Sequence, residues 1–264
     1  MLKLKRWRLI DTGIGSAHWN MAVDEALLNG FKEGDLPILR LYGWENALSV
    51  GKFSNISKSV DSKKLEDQKI PLVRRLSGGG VLVHGGDLSY TLILPREFLK
   101  DSGVKESYHY LCGFLIRLYE KLGHNACFAY DVQEKERQSD ICLAGNEAYD
   151  ILIEGKKMGG NAQRYTRHVL FQHGTIPMRL DESLFKPLFL GGSGLESAAS
   201  LERLGTPMRY EPLSTLVRDA FCETFEVELI LEPLRSSEEE RARDLLVHKY
   251  TQERWNFHAK LIHP

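Results

Sequence analysis

The sequence lacks any run of about 18 apolar residues, and no apolar core follows its basic start, MLKLKRWRLI. It offers neither a membrane-spanning helix nor a secretory segment, so the expectation is a cytoplasmic protein with no membrane partner. No C-x-x-C pair occurs among its four cysteines, Cys112, Cys127, Cys142 and Cys222. That argues against a zinc site and a disulfide framework, and predicts reduced thiols and no metal. Neither charge is in excess: 35 lysines and arginines face 36 aspartates and glutamates, for a formal net charge of −1. A general nucleic-acid binder usually carries a basic surplus, so no nucleic-acid partner is expected. Internal repeats, low-complexity tracts and coiled-coil heptads are also missing.

What is present is an ordinary globular mixture, 42% hydrophobic and 27% charged over 264 residues, enough for one large or two small domains. Residues 6–10 read as a strand. The next segment turns into a helix over 17–32, whose Trp19, Val23, Ala26 and Leu27 share one face, the pattern of core packing. Residues 37–44 and 47–51 read as two strands joined by Glu45-Asn46, and 60–69 as a short charged helix. The spacing of Tyr108, Leu111, Leu115 and Leu118 predicts an amphipathic helix over 105–122, ended by Gly123. Cys112 falls in that helix and Cys127 in the strand-like ACFAY, and both read as buried structural thiols. Residues 131–141 lack periodicity and form a loop long enough to cover something. Segments 149–153 and 157–163 read as the arms of a hairpin, 169–177 as a strand, and 212–225 and 236–250 as helices.

The chain is organised around residues 73–95, VRRLSGGGVLVHGGDLSYTLILP. Three adjacent glycines cost backbone entropy, and they make sense where φ must be positive or where a ligand approaches the backbone. Taken alone they read as the turn of a β-hairpin. Arg74 and Arg75 add fixed cations at the mouth of that turn, Ser77 a hydroxyl, and the glycine N–H groups a nest for a carboxylate or phosphate.

Four stretches, Asn20 to Leu27, Ser49 to Asn55, Arg74 to Gly80 and Gly155 to Gln163, occur in an order and at a spacing that resemble the lipoate and biotin protein ligase superfamily. Within it the likeness is to the lipoate-protein ligase A and octanoyltransferase group, and the pattern spans residues 6 to about 180. The resemblance implies an α/β (α+β) fold: a mixed, mostly antiparallel sheet flanked by helices, as in class II tRNA synthetases. It implies one catalytic domain over 1–264, with no separate C-terminal accessory domain. The implied activity attaches an octanoyl or lipoyl group to a lysine of a lipoyl domain or of the glycine-cleavage H protein.

The same resemblance nominates site residues. Lys157, in its K-x-G-G-N-A context, is the cation for the carboxyl or thioester end of the acyl group; without that context it reads as a solvated surface lysine. Arg74, Ser77, Gly78, Gly79, Gly80, His84, Gly160, Asn161 and Ala162 are the expected substrate-binding residues. Cys142 falls where one branch of the family resembles it with a nucleophilic cysteine, activated by Lys157 or by His84 or His173. That branch takes octanoyl from octanoyl-acyl carrier protein and requires no cofactor. The other branch uses ATP and magnesium to adenylate free lipoate or octanoate. The short spacing after His84, which lacks the ligases' following aspartate, points to the transferases, whereas Gly80 as a third glycine is ligase-like. A non-catalytic lipoyl-binding scaffold on the same fold is the remoter alternative.

Overall fold

The computed structural model describes residues 5–100, 102–132 and 150–259. In chain order the elements are β1 (Arg6–Gly15), α1 (Ala17–Gly30), β2 (Ile38–Trp44), β3 (Ala47–Val50), α2 (Ser62–Asp67), β4 (Leu72–Arg74), β5 (Val81–His84) and β6 (Asp87–Pro95). They continue with α3 (Val104–Lys121), β7 (Ala126–Phe128), β8 (Ile151–Ile153), β9 (Lys156–Lys157), β10 (Asn161–Tyr165) and β11 (Val169–Pro177). The last are α4 (Glu182–Phe185), α5 (Tyr210–Phe225), β12 (Glu228–Leu231), α6 (Ser236–Leu245) and, after a π-helical turn, α7 (Glu253–Asn256).

A six-stranded sheet in the order β10-β11-β6-β2-β1-β12 forms the frame. The β10, β11, β6 and β2 strands pair antiparallel, and β1 joins β2 and β12 in parallel. The expected mixed, mostly antiparallel sheet is therefore present. Side-chain alternation sends Leu39 and Leu41 of β2, with Leu88, Tyr90, Leu92 and Leu94 of β6, to a core under α3 and α5. Ile38 and Ile93 face the other way, with Phe171, toward α1 and α6. Both faces are covered, which is why β2 and β11 are buried at every position. Each fully buried Leu or Phe in these layers contributes about 1.5–3 kcal/mol. Among the described residues no helix is long and apolar enough to cross a membrane.

Helix α1 starts where the Ser16 side chain accepts from the Trp19 N–H, an N-cap. It buries far more than the single apolar face expected, including the polar Asn20 and Asp24, because it lies between the sheet and α6. The 73–95 segment differs from the expected hairpin. Strands β4 and β5 do not pair with each other: both flank β3, β4 in parallel and β5 antiparallel, as a separate three-stranded sheet. Likewise β2 and β3 lie in different sheets. The hairpin expected from 149–153 and 157–163 is shorter. Only Lys156–Lys157 returns along β8, through a turn in which Glu154 and Gly155 both have positive φ. Gly159, at φ +79°, then redirects the chain, and a Cβ there would lie 2.0 Å from the Thr175 carbonyl oxygen. Asn161–Tyr165 accordingly leaves the small sheet and pairs with β11.

Candidate active site

A cavity, with about 370 Å³ of empty space counting the open solvent at its mouth, lies between the six-stranded sheet and the β4-β3-β5 sheet. Its walls are Tyr42 and Trp44 from the end of β2, Arg75, Gly78 and Gly79 from the glycine turn, Leu82 and His84 from β5, and Ser89 from β6. Gly160, Asn161 and Ala162 at the start of β10 face His173, Gly174 and Thr175 of β11 across the other side. The aromatic and aliphatic surfaces of Tyr42, Trp44, Leu82 and Ala162 suit an apolar chain. The glycine turn reaches this wall because Gly51 has no side chain: a Cβ there would meet the Gly79 carbonyl oxygen at 1.9 Å. Of the three glycines only Gly79 has positive φ, +94°. Among the described residues no backbone N–H of Gly78, Gly79 or Gly80 is donated to another group, and Gly78 and Gly79 line the cavity.

Two buried strings of serine, histidine and aspartate stiffen the cavity. In the first, the Ser49 hydroxyl lies 2.6 Å from His84 Nε2, and His84 Nδ1 lies 2.9 Å from Asp87. Arg75 also donates to Ser49 Oγ at 2.7 Å, so the hydroxyl links the guanidinium to the His84 ring, whose other nitrogen meets Asp87. Trp44 stacks on that ring, 3.9 Å between centroids, and donates its indole N–H to Ser89 at 2.8 Å. In the second string Ser77 Oγ lies 2.6 Å from His173 Nε2, and His173 Nδ1 lies 3.5 Å from Asp24. Asp24 also receives Arg40 at 2.6 Å, Tyr42 and Thr91. Burial opposes ionisation of Asp24, but Arg40 and His173 outweigh it and hold the carboxyl below its ordinary value. Burial pushes the His173 pKa down, against the pull of Asp24, so the ring is neutral and accepts the Ser77 proton. Neither histidine has a ring nitrogen left to activate a thiol.

The cavity gathers Gly78, Gly79, His84, Gly160, Asn161 and Ala162 from the expected site. Ser77 stands behind the wall on His173, and the Gly80 carbonyl accepts from Arg75 at 2.8 Å. Lys157 is not part of the lining. Three residues ahead of Gly160 and 8% exposed, it forms an ion pair with Asp150 at 2.7 Å. Arg74 is placed elsewhere altogether. Its guanidinium, 1% exposed, donates to the carbonyls of Gly51, Lys52 and Ser54 on one side and of Trp255, Asn256 and Phe257 on the other. It clamps α7 onto the β3 loop, and Arg75, its neighbour on the opposite face of the strand, reaches the cavity instead.

Cys142 lies outside the described residues. The three described thiols are poor nucleophiles: burial pushes Cys112 up to about 12 and raises Cys127 and Cys222. Cys127 is only partly buried, against the expectation of a core thiol. Among the described residues no cluster of three or more His, Cys, Asp or Glu could hold a metal ion. Sequence reasoning missed Asp24, Trp44 and Asp87, and it named Arg75 as a cation at the turn without placing it among the substrate-binding residues. The one available signal was Asn20 and Asp24, one helical turn apart on a helix otherwise read as core.

A family model described as the lipoyl protein ligase A/B catalytic domain matches residues 16–228. The chain is 34% identical to the octanoyltransferase LipM of Kyrpidia tusciae, over 96% of this chain and 99% of that one. It is 32% identical to the octanoyltransferase LipM of Bacillus subtilis, over 97% and 99%. Among solved structures, a lipoate-protein ligase A bound with ATP superposes with a TM-score of 0.83 at 23% identity, covering 97% of this chain and all of that one. Protein Ta0514 of T. acidophilum with bound lipoic acid gives 0.82 at 23%, covering 96% and 99%. At that identity these two speak to the fold.

Proposed function

The chain belongs to the lipoyl protein ligase A/B catalytic-domain family, and on that footing we propose that it moves an octanoyl group from octanoyl-acyl carrier protein to a lysine of a lipoyl domain or of the glycine-cleavage H protein. The observation that carries this reading is the apolar cavity between the sheets, lined by Gly78 and Gly79 of the glycine turn and by Gly160 to Ala162, which follow Lys157 and its Asp150 partner in the chain. Near-full-length likeness to octanoyltransferases supports the transferase branch. Burying an eight-carbon tail there is worth roughly 0.8 kcal/mol per methylene, which makes the tail the main source of donor affinity.

The chemistry assigned to this site is a double exchange. The Cys142 thiolate attacks the donor's thioester carbonyl, a new C–S bond forms, the old one breaks, and the carrier thiol leaves with the proton given up by Cys142. One thioester replaces another, so the step needs little energy and no ATP. The neutral amine of the acceptor lysine then attacks, a C–N bond forms, and the Cys142 thiolate leaves as the new amide sheds its extra proton. Lys157 is the cation for the oxyanion of both steps, with glycine-turn N–H groups as further donors. Asp150 holds that ammonium in place. Arg74 is not given a substrate-binding role, since its guanidinium is spent on the backbone carbonyls of Gly51, Lys52, Ser54, Trp255, Asn256 and Phe257 and does not line the cavity.

The test is to offer apo H protein three donors in parallel: octanoyl-carrier protein, octanoate with ATP, and lipoate with ATP. Modification from octanoyl-carrier protein alone supports the transferase; modification only in the ATP arms replaces it with the adenylating ligase.

A further inference from the structure

Beside the cavity lies a group of cations that the acyl chemistry does not use. Ala162 and Arg164 lie on one face of β10, opposite His173 and Phe171 of β11. Since Ala162 and His173 line the cavity, Arg164 stands one pleat beyond it, about 6–7 Å along the strand. Lys52 follows β3 on a loop that rides on the glycine turn. Its N–H donates to the Ser77 carbonyl at 2.8 Å, and Ser54 Oγ donates to the Gly79 carbonyl at 2.7 Å. Lys249 closes the group: its ammonium bonds Glu25 at 2.7 and 2.8 Å and sits 4.1 Å from the Trp255 ring centroid. Burial lowers the Lys249 pKa, and the nearby charges of Arg164 and Lys52 lower it further. Glu25 compensates Lys249. Neither Lys52 nor Arg164 pairs with an acid among the described residues.

Lys52 and Arg164, which have no acidic partner among the described residues, repel each other and the Glu25-compensated Lys249, so an anion placed beside them is favoured. Arginine supplies a planar fork suited to phosphate oxygens, and lysine a mobile point charge. We propose that Lys52, Arg164 and Lys249 bind the phosphate of the pantetheine-type arm on which the carrier presents its acyl group. This rests on the carrier-dependent transfer proposed above and names the part of the donor, other than the acyl tail, that the protein recognises.

The experiment compares octanoyl-phosphopantetheine with octanoyl-pantetheine, donors that differ only in the phosphate, for octanoyl transfer to apo H protein. A third arm offers octanoate with ATP, whose phosphates are the other source of such an anion. Wild type is expected to favour the phosphorylated donor by about 10- to 100-fold in kcat/KM, as suits charge-assisted hydrogen bonds. Arg164→Gln and Lys52→Gln are expected to remove most of that preference and leave the rate with octanoyl-pantetheine unchanged. Equal use of both donors by the wild type, or equal losses on both in the variants, would overturn the inference alone. Turnover only with octanoate and ATP would overturn it together with the transfer reading.

Discussion

The two sides of the acyl cavity are built on different principles. On one side stand the strings Ser49–His84–Asp87 and Ser77–His173–Asp24, buried and tied to Arg75 and Arg40. On the other stand Gly160 to Ala162 at the start of β10; Lys157, on a two-residue strand just before them, pairs with Asp150, and Cys142 precedes it in the sequence by fifteen positions. Ser–His–Asp order suggests nucleophilic catalysis, yet here each ring nitrogen is consumed inside the wall. The lesson is that a Ser–His–Asp string whose ring nitrogens are both bonded within the wall serves rigidity, while the proposed chemistry is carried by Cys142 and Lys157. Damage to the first side is expected to appear in stability, and damage to the second in turnover.

The largest effect that would break this division is on Cys142. Cys142→Ser is expected to lower turnover with octanoyl-carrier protein by at least about a thousandfold, as removal of a covalent nucleophile does, with the melting temperature unchanged. A large fall in melting temperature would put Cys142 on the structural side. Next is Asp24→Asn, which leaves Arg40 buried without its counter-charge. Breaking such a pair costs about 3–5 kcal/mol, to be read as a shift of the urea midpoint, while the folded fraction keeps its KM for the donor. Lys157→Gln is expected to reduce kcat by about 100- to 1,000-fold with a small change in stability. Full activity in that variant would remove Lys157 from the chemistry.

The smallest effect is a pH dependence. The His173 pKa is depressed in the folded protein, so below about pH 6.5 the unfolded chain takes up a proton that the native state refuses. Stability is therefore expected to fall as pH drops below that point, until the native pKa is reached, and to be flat above it. Asp24, also depressed, withdraws its contribution only below about pH 4, so the windows separate. Burial also lowers the His18 pKa, so thermal melts of His173→Gln should lose part of this slope and keep the share of His18; an unaltered slope would take His173 out of it.

Much of the fold was legible in the sequence, because α1, α3, β2 and β11 carry apolar periodicities that end within a residue or two of the observed boundaries. Partnership was not. Residues 73–95 satisfy the local pattern of a hairpin, but β3 enters between β4 and β5, a choice made by tertiary contact that no local pattern encodes. The arginine pair fails for the same reason. Adjacent strand residues point to opposite faces, and the sequence does not say which face holds the cavity, so Arg74 was chosen where Arg75 lines it. Gly78, Gly79, His84 and Gly160 to Ala162 were legible through the family's motifs. Asp24 was hidden because an acid in a helix is ordinarily read as solvated.

The central claim is that an octanoyl thioester forms on Cys142. It is tested most directly by mixing the protein with octanoyl-carrier protein, quenching in acid before acceptor is added, and measuring the intact mass with peptide mapping. The account predicts one octanoyl adduct on the Cys142 peptide, labile to hydroxylamine, present in Cys112→Ser, Cys127→Ser and Cys222→Ser and missing in Cys142→Ser. An unmodified protein that still transfers octanoyl to apo H protein, or an adduct that persists in Cys142→Ser, would contradict it.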